Sequence, residues 1–365
     1  MMNELSQKLT RLSELLETHH LDAIYLKRQD NFAWLSCGGK NYVGIGELGN
    51  CGLLVTKDAC HAITNVIEEK RMRDEERLES IGFAIHAGVW HDNDFELSTI
   101  SKIVGYGTVG FDYPSAGGQN VANLVKPLRF SFTEQEVERY KELGYLASLA
   151  MEETAATIRQ GDSEYATVGR LSEILHTHGM DFASAMCAAD ERISDYRHPV
   201  PTMKKIKNRV QLGGNLRRDG LIVCLTRYVN FEPVSAALRA QYKANVEIDL
   251  TFMKNTTVGE SYQKPLLAGK AAYERLGYAK EFDKHHQGGP IGYNPREYRL
   301  DFSHTGKVVE NQGFCWNPSI TGTKSEDTII VTSKGFDFIT RPILYPVLEV
   351  EIDGIVYARP NILEK

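Results

Sequence analysis

Two polar stretches in the second half of the chain carry residue types that can do chemistry. The first, residues 285–297, opens with two adjacent histidines and continues through three glycines to an arginine-glutamate pair. Glycines at this density predict a backbone held close to another group. The second, residues 316–328, runs from Trp316 through polar residues into the apolar strand 329–331. A carboxylate at the mouth of a core strand is costly unless it is paired or functional, so Glu326 is a candidate site residue.

Lys324, Glu326 and His198 each leave two interpretations open. Lys324 and Glu326 are two residues apart, so in an extended backbone they share one face. They form either an ordinary ion pair, worth little if exposed, or part of a site. His198, in the segment Tyr196-Arg197-His198-Pro199, is either a turn residue or a proton carrier. Cys224 and Cys315 are predicted to be small core residues in strands.

Composition limits the function classes. The chain has 365 residues, a formal net charge of -6 and 42% hydrophobic residues, which predicts a soluble globular protein with about two domains. Without a basic surface we expect no nucleic-acid partner, and without a long apolar run we expect no membrane span. The six cysteines include no C-x-x-C pair, so we predict a cytoplasmic, reducing location.

The pattern of elements changes near residue 130. Up to that point helix-like and strand-like segments alternate, which predicts an α/β domain over residues 1–130. Thr133 and Glu136 then form a capping box that opens a long helix. We therefore place a second domain at residues 131–365.

The second domain shows an internal repeat. Gly161 and Gly259 are 98 residues apart, and so are the helix-stopping Gly179 and Gly277. Strand-like runs follow each helix pair, at 210–212 and 221–229 in one half and at 314–316 and 328–332 in the other. The matching order predicts two related halves that face each other across a cleft.

These stretches resemble the pita-bread fold hydrolases: creatinase, aminopeptidase P, proline dipeptidase and methionine aminopeptidase. The resemblance covers nearly the whole chain and rests on the region of His198, the tripeptide 225–227, residues 285–297 and the strand entered at Glu326. It implies an α/β (α+β) chain, with a small creatinase-like N-terminal domain and a duplicated pita-bread domain. In the creatinase branch the small domain lies over the neighbour's pocket, so a homodimer with residues 30–34 near a shared site is expected.

The metal-dependent members of this family hold two divalent ions with two aspartates, one histidine and two glutamates. The matching positions in this chain are Gly213, Cys224, Gly289, Asn317 and Glu326. A single carboxylate cannot hold two ions against water, so no catalytic metal and no other cofactor is predicted. Creatinase, which cleaves a C–N bond with a histidine and carboxylates alone, shows that the family does not require a metal.

The resemblance then implies roles for the remaining residues. His198 relays a proton between water and the leaving nitrogen, and Glu326 orients its imidazole. Arg296 and Asn317 bind a carboxylate or the developing oxyanion. The predicted catalytic residues are His198, Glu326 and His285, and the predicted substrate contacts are Arg296, Asn317, Lys324, Arg227 and Glu297.

The sequence therefore predicts a metal-independent hydrolase, similar to Xaa-Pro peptidases and creatinase, that cleaves an amide or amidine bond in a small molecule or short peptide. One alternative is a binding protein that kept the pocket and lost turnover. A second is a dinuclear metallopeptidase whose ligands lie at other positions.

Overall fold

The computed structural model describes residues 3–365 and divides into two compact units. The division falls between Glu136 and Val137, just after the boundary predicted at residue 130. It lies within the first turn of the long helix, because this helix begins in the first unit and continues through the second.

The first unit is built on a six-stranded mixed sheet. In chain order its elements are α1 (Glu4–Thr18), β1 (Ala23–Arg28), α2 (Gln29–Leu35), β2 (Leu48–Thr56), β3 (Cys60–Asn65), α3 (Glu69–Asp74), β4 (Phe83–Gly88), α4 (Phe95–Val104), β5 (Val109–Phe111), β6 (Gln119–Asn120) and α5 (Ala122–Val125). The strand order is β4-β3-β2-β1-β5-β6. β1 pairs antiparallel with β2 and parallel with β5, so the α/β expectation for this part is confirmed.

Helix α2 contains the residues that are expected near a site shared with a second subunit, and that shared site stays a prediction. Phe32 and Trp34 are fully buried in the structure. Asp30 forms an ion pair with Arg129 at 2.9 Å. This segment is part of the core of its own unit.

The capping box at the start of the long helix is confirmed. The Thr133 amide donates to Glu136 Oε2 at 2.8 Å, and the Glu136 amide donates to Thr133 Oγ1 at 3.2 Å. Each side chain thus satisfies one amide that the first helical turn leaves without a partner.

Replacing Thr133 with alanine is expected to lower the free energy of unfolding by about 0.5–2 kcal/mol, the usual effect of losing an N-terminal cap. Urea unfolding of the two proteins measures this difference. Thr133→Ser keeps the hydroxyl and serves as the control. Equal midpoints for Thr133→Ala and the wild type would contradict the role of the cap.

The second unit contains the remaining elements. They are α6 (Glu134–Thr157), which starts in the first unit, α7 (Glu164–Thr177), β7 (Asp181–Ala189), α8 (Arg192–Asp195), β8 (Arg209–Arg218), β9 (Leu221–Asn230), α9 (Ala236–Asn255), α10 (Gln263–Arg275), β10 (Gly288–Pro290), β11 (Gln312–Trp316), β12 (Ser319–Ile320), β13 (Thr323–Lys324), β14 (Asp327–Thr332), β15 (Gly335–Phe338), β16 (Val347–Ile352), β17 (Ile355–Pro360) and β18 (Ile362–Glu364). One sheet has the order β18-β9-β8-β7 and another β10-β11-β14-β15, while β12-β13 and β16-β17 pair separately.

The predicted duplication is confirmed by matching backbone details. Gly161 and Gly259 both adopt a positive φ, of 84° and 82°. The Gly161 amide donates to the Ile206 carbonyl at 2.8 Å, and the Gly259 amide donates to the Val308 carbonyl at 2.9 Å. Each half therefore runs helix, glycine turn, helix and then antiparallel strands.

The two halves are joined at strands β9 and β14. The Thr226 amide donates to the Glu326 carbonyl at 3.1 Å, and the Cys224 amide donates to Thr328 Oγ1 at 2.8 Å. All ten residues of β9 are buried. This junction places side chains of both halves beside one another. Across residues 3–365, no helix has the length and apolar character needed to cross a bilayer.

Candidate active site

The second unit contains a cavity of about 710 Å³. This size is typical of a small-molecule site. Its wall consists of Ser184, Ala185, Met186, His198, Val200, Asn215, His286, Pro295, Arg296, Tyr298, Arg299, Asn317, Lys324 and Glu326. Three of these side chains are cationic and one is a carboxylate, so the cavity favours an anionic ligand.

His198 reaches the cavity from the loop between α8 and β8, and its neighbour holds the loop in place. Arg197 Nη2 donates to Glu281 Oε2 at 2.7 Å and to Thr321 Oγ1 at 2.9 Å. Burial alone would raise the pKa of Glu281, but hydrogen bonds from Lys284, Thr321 and Arg197 outweigh it and lower this pKa to about 2. The ionised carboxylate therefore anchors the loop that carries His198.

Three histidine rings form a cluster of which His198 and His286 line the cavity and His285 lines a neighbouring one. Nε2 of His198 lies 3.0 Å from Nε2 of His285, and the rings of His285 and His286 stack with centroids 4.3 Å apart. His198 is exposed on its other side. Burial is the main cause that lowers the pKa of all three imidazoles, that of His286 to about 3. The Lys324 ammonium adds to this effect on all three rings, and the Arg296 guanidinium adds to it on His198 and His286. The rings are therefore neutral near pH 7.

Glu326 lies at the inner end of the cavity and is only 3% exposed. Its Oε2 accepts a hydrogen bond from Thr226 Oγ1 at 2.7 Å and lies 2.8 Å from Lys324 Nζ. Its Oε1 lies 3.3 Å from Arg296 Nη2. Burial raises the pKa of Glu326, but the Lys324 ammonium and the Arg296 guanidinium outweigh burial. The net pKa is below its usual value, so the carboxylate is ionised.

Two buried thiols lie behind this carboxylate. Cys224 on β9 and Cys315 on β11 have no exposed surface, which confirms that they are core residues in strands. Arg296 Nη1 donates to Cys224 Sγ at 3.2 Å. Burial raises the pKa of both thiols, but hydrogen bonds from Cys315 and Arg296 bring that of Cys224 below its usual value, while that of Cys315 stays well above. Arg296 thus lies between a carboxylate and a thiol.

Comparison with known proteins identifies the architecture. No family model matches the chain. An uncharacterized peptidase of Staphylococcus aureus (strain MW2) is 22% identical over 241 residues, covering 63% of this chain and 68% of that protein.

Solved structures match the chain over nearly its whole length. The Xaa-Pro dipeptidase from Bacillus anthracis is 21% identical and superposes with a TM-score of 0.76, over 99% of this chain and 100% of that one. A dipeptidase from Pyrococcus horikoshii OT3 is 17% identical and gives a TM-score of 0.79, over 98% and 100%. The chain has the pita-bread fold. This confirms the resemblance at the level of the fold.

The residues at the ion positions of the pita-bread fold do not fit a dinuclear centre. Gly213 and Gly289 offer no side-chain donor, and a Cβ on Gly289 would lie 2.7 Å from the Tyr298 carbonyl oxygen. Cys224 is hydrogen-bonded to Arg296, and Glu326 is already neutralised by Arg296 and Lys324. Two bridged divalent ions need several carboxylate oxygens, whereas this position holds cationic side chains instead.

Two of the predicted substrate contacts, Arg227 and Glu297, lie outside the cavity wall. Arg227 is 1% exposed, and its Nη1 lies 3.1 Å from Asp327 Oδ1. Thr226 faces Glu326, so the next residue along the strand points the other way. Glu297 is also buried and lies outside the cavity wall. The predictions for Arg227 and Glu297 are corrected accordingly.

The predicted contact between His198 and Glu326 is replaced by another. His285 is the ring that contacts His198, whereas Glu326 is bound by Thr226, Lys324 and Arg296. Arg296, Asn317 and Lys324, the other predicted substrate contacts, line the cavity.

Sequence reasoning missed Arg299 and Asn215, which also line the cavity. Arg299 follows the conspicuous 285–297 stretch in a segment without regular periodicity. Asn215 lies on β8, directly opposite Cys224 in the register. The sequence analysis did not pair these two strands, and this register would have pointed from Cys224 to Asn215.

Proposed function

We propose that this protein hydrolyses a carbon–nitrogen bond, in an amide or amidine, of a small anionic substrate, and that it does so without a dinuclear metal centre. The observation that supports this proposal most strongly is the cavity, which combines a neutral histidine at its rim with an excess of positive charge inside. The first feature supplies a base, and the second binds an anion.

His198 is the proposed general base. When its Nε2 proton is shared with His285, Nδ1 is the ring nitrogen that accepts a proton from water. The water oxygen then bonds to the substrate carbon. As the C–N bond breaks, the imidazolium returns the proton to the leaving nitrogen. Proton transfer of this kind typically contributes about 10²- to 10⁴-fold to the rate, so precise positioning must supply the rest.

The inner wall is proposed to bind the charges of the substrate. Lys324 Nζ lies against Glu326, and an ammonium group has three N–H donors, so some can reach a ligand. Asn317 is 2% exposed, and its side-chain amide lies at the cavity wall, where it can donate to a developing oxyanion. Arg296 contributes charge more than contacts, because its guanidinium already holds Cys224 and Glu326.

Lys324→Gln is expected to raise KM for carboxylate-bearing substrates by about 10- to 100-fold, because a hydrogen bond to a charged group contributes about 1.5–3 kcal/mol. Steady-state kinetics measures the effect. Lys334→Gln, which alters an exposed turn, is the matched control and should leave KM unchanged. Equal KM values for Lys324→Gln and the wild type would contradict the proposed subsite.

The proposed function is tested by screening turnover of Xaa-Pro dipeptides, creatine analogues and acylated amino acids. Hydrolysis of at least one anionic member supports the proposal. Absence of turnover across the panel, with tight binding of one member, would favour a binding protein.

The binding-protein alternative has one observation in its favour. Glu326, the carboxylate expected to assist His198, is fully engaged by Thr226, Lys324 and Arg296. Because the carboxylate of Glu326 is paired with Lys324 and Arg296, it is not free to assist a proton transfer. The cavity keeps an excess of positive charge, which is suited to binding an anion. Turnover that depends on His198 separates the two functions.

Two further expectations concern the protein in the cell. A cytoplasmic location and a homodimer stay predictions. All six cysteines are free thiols in the structure. Sedimentation of the purified protein would measure its subunit number.

A further inference from the structure

The three histidines at the cavity have the geometry of a cation site. The candidate ligand nitrogens of His198, His285 and His286 all lie within 4.8 Å of one another, and the closest pair is 3.0 Å apart. Zinc–nitrogen bonds of about 2.0–2.1 Å in a tetrahedral arrangement hold the nitrogens about 3.3 Å apart. The three side chains must therefore rotate to bring their nitrogens around one ion, because the rings of His285 and His286 are stacked in the structure.

We propose that His198, His285 and His286 bind one zinc ion and that this ion inhibits the protein by occupying its general base. The binding itself rests on the geometry of the cluster. The inhibition rests on the proposed function, because it requires His198 to be the base. Zinc would act as a reversible regulator and not as a catalytic ion.

A second observation also indicates a ligand at this cluster. Nδ1 of His285 and Nδ1 of His286 are buried and have no hydrogen-bond partner within residues 3–365. A buried ring nitrogen without a partner costs free energy. Coordination of an ion through these two Nδ1 atoms would give each of them the partner that it lacks.

The surrounding charges restrict which ion can bind. Lys324, Arg296 and Arg299 lie on the same cavity wall and repel any cation. Calcium and magnesium need several oxygen ligands, which the cluster does not offer. Zinc, nickel and copper bond strongly to neutral imidazole. The open fourth position would then take water or an anion that the nearby cations stabilise.

This position differs from the inner one where the fold's catalytic ions would lie. Cys224, Cys315 and Glu326 also bring three candidate ligand atoms within 4.8 Å of one another. Arg296 and Lys324 already bind that group, and all three residues are buried. The histidine cluster includes the exposed His198 and is open to an ion from solvent.

Binding is tested first, with zinc alone and a competing chromophoric chelator. We expect one zinc ion per chain in the wild type. His286→Ala removes a direct ligand and should therefore weaken zinc binding by more than about 10- to 100-fold. That range is the usual effect of losing a residue that only hydrogen-bonds to a ligand. His86→Ala is the matched control, because His61 and His86 form another histidine pair 3.0 Å apart, and it should leave the affinity unchanged. Magnesium and calcium should not compete.

Inhibition is tested next on a substrate found by the screen. Zinc should stop wild-type turnover, a chelator should restore it, and His286→Ala should lose this sensitivity relative to its own zinc-free rate. Unchanged zinc affinity in His286→Ala, or affinity lost in Cys224→Ser instead, would overturn the site. Zinc binding without any substrate turnover would overturn only the proposed function, and zinc binding without inhibition would overturn only the regulation.

Discussion

His198→Ala is expected to lower turnover by about 10²- to 10⁴-fold, the range that general acid–base catalysis supplies. The affinity for an anionic product should change little, because the cations Lys324, Arg296 and Arg299 lie elsewhere on the cavity wall. The effect should therefore fall on kcat and not on KM. Kinetics and direct binding of the product, measured on the same preparation, separate the two quantities.

The matched control is His176→Ala, a histidine at the end of α7 whose Nδ1 lies 2.7 Å from the Ser172 carbonyl oxygen. It lies outside the cavity wall and should retain full turnover. A His198→Ala protein with wild-type kcat would show that another group carries the proton. Loss of product binding in the same variant would assign His198 to binding.

Asp327→Ala is expected to lower the free energy of unfolding by about 3–5 kcal/mol, because it breaks a buried ion network. Asp327 Oδ1 lies 3.1 Å from Arg227 Nη1 and accepts a hydrogen bond from Thr340 at 2.7 Å, while Oδ2 lies 3.3 Å from Arg359 Nη2. Arg359 also pairs with Asp249 at 2.7 Å. Both arginines are almost completely buried, so removal of the aspartate leaves buried positive charge without its partner.

Urea unfolding measures this loss, and Asp337→Ala on the neighbouring strand β15 is the control. Asp337 is exposed, so its replacement should change stability by no more than about 0.5 kcal/mol. Similar losses for the two variants would mean that the network contributes little. Because Asp327 follows Glu326 directly, the network also fixes the strand that presents the site carboxylate.

The fold was largely predictable because its signals are local or periodic. The capping box at Thr133 and the turns at Gly161 and Gly259 each depend on a few adjacent residues. The equal spacing of the glycines then revealed the duplication. The division at Glu136 could not be placed more closely, since the helix runs through it.

From the residues themselves, the site contacts were predictable where neighbours in sequence are neighbours in space; the resemblance supplied His198, Arg296 and Asn317. Lys324 ends β13 and Glu326 immediately precedes β14, and the two side chains form the expected ion pair at 2.8 Å. The contact between His198 and His285 joins residues 87 positions apart and depends on loop packing. Arg227 was assigned to the pocket because the resemblance places it near a position that holds a divalent ion in the metal-dependent members of the family. Successive side chains on a strand point to opposite faces, so the side chain of Arg227 points into the buried ion network with Asp327.

The central claim is that side chains, and not a dinuclear metal centre, carry out the reaction in this cavity. The most direct measurement is turnover of the protein after treatment with a strong chelator, with the metal content of the same sample determined by elemental analysis. We predict undiminished turnover when the sample holds less than about one metal ion per ten chains. At this order of magnitude, too few chains contain metal to account for the activity. Loss of turnover on stripping, with recovery on addition of two equivalents of manganese, cobalt or zinc, would contradict the claim.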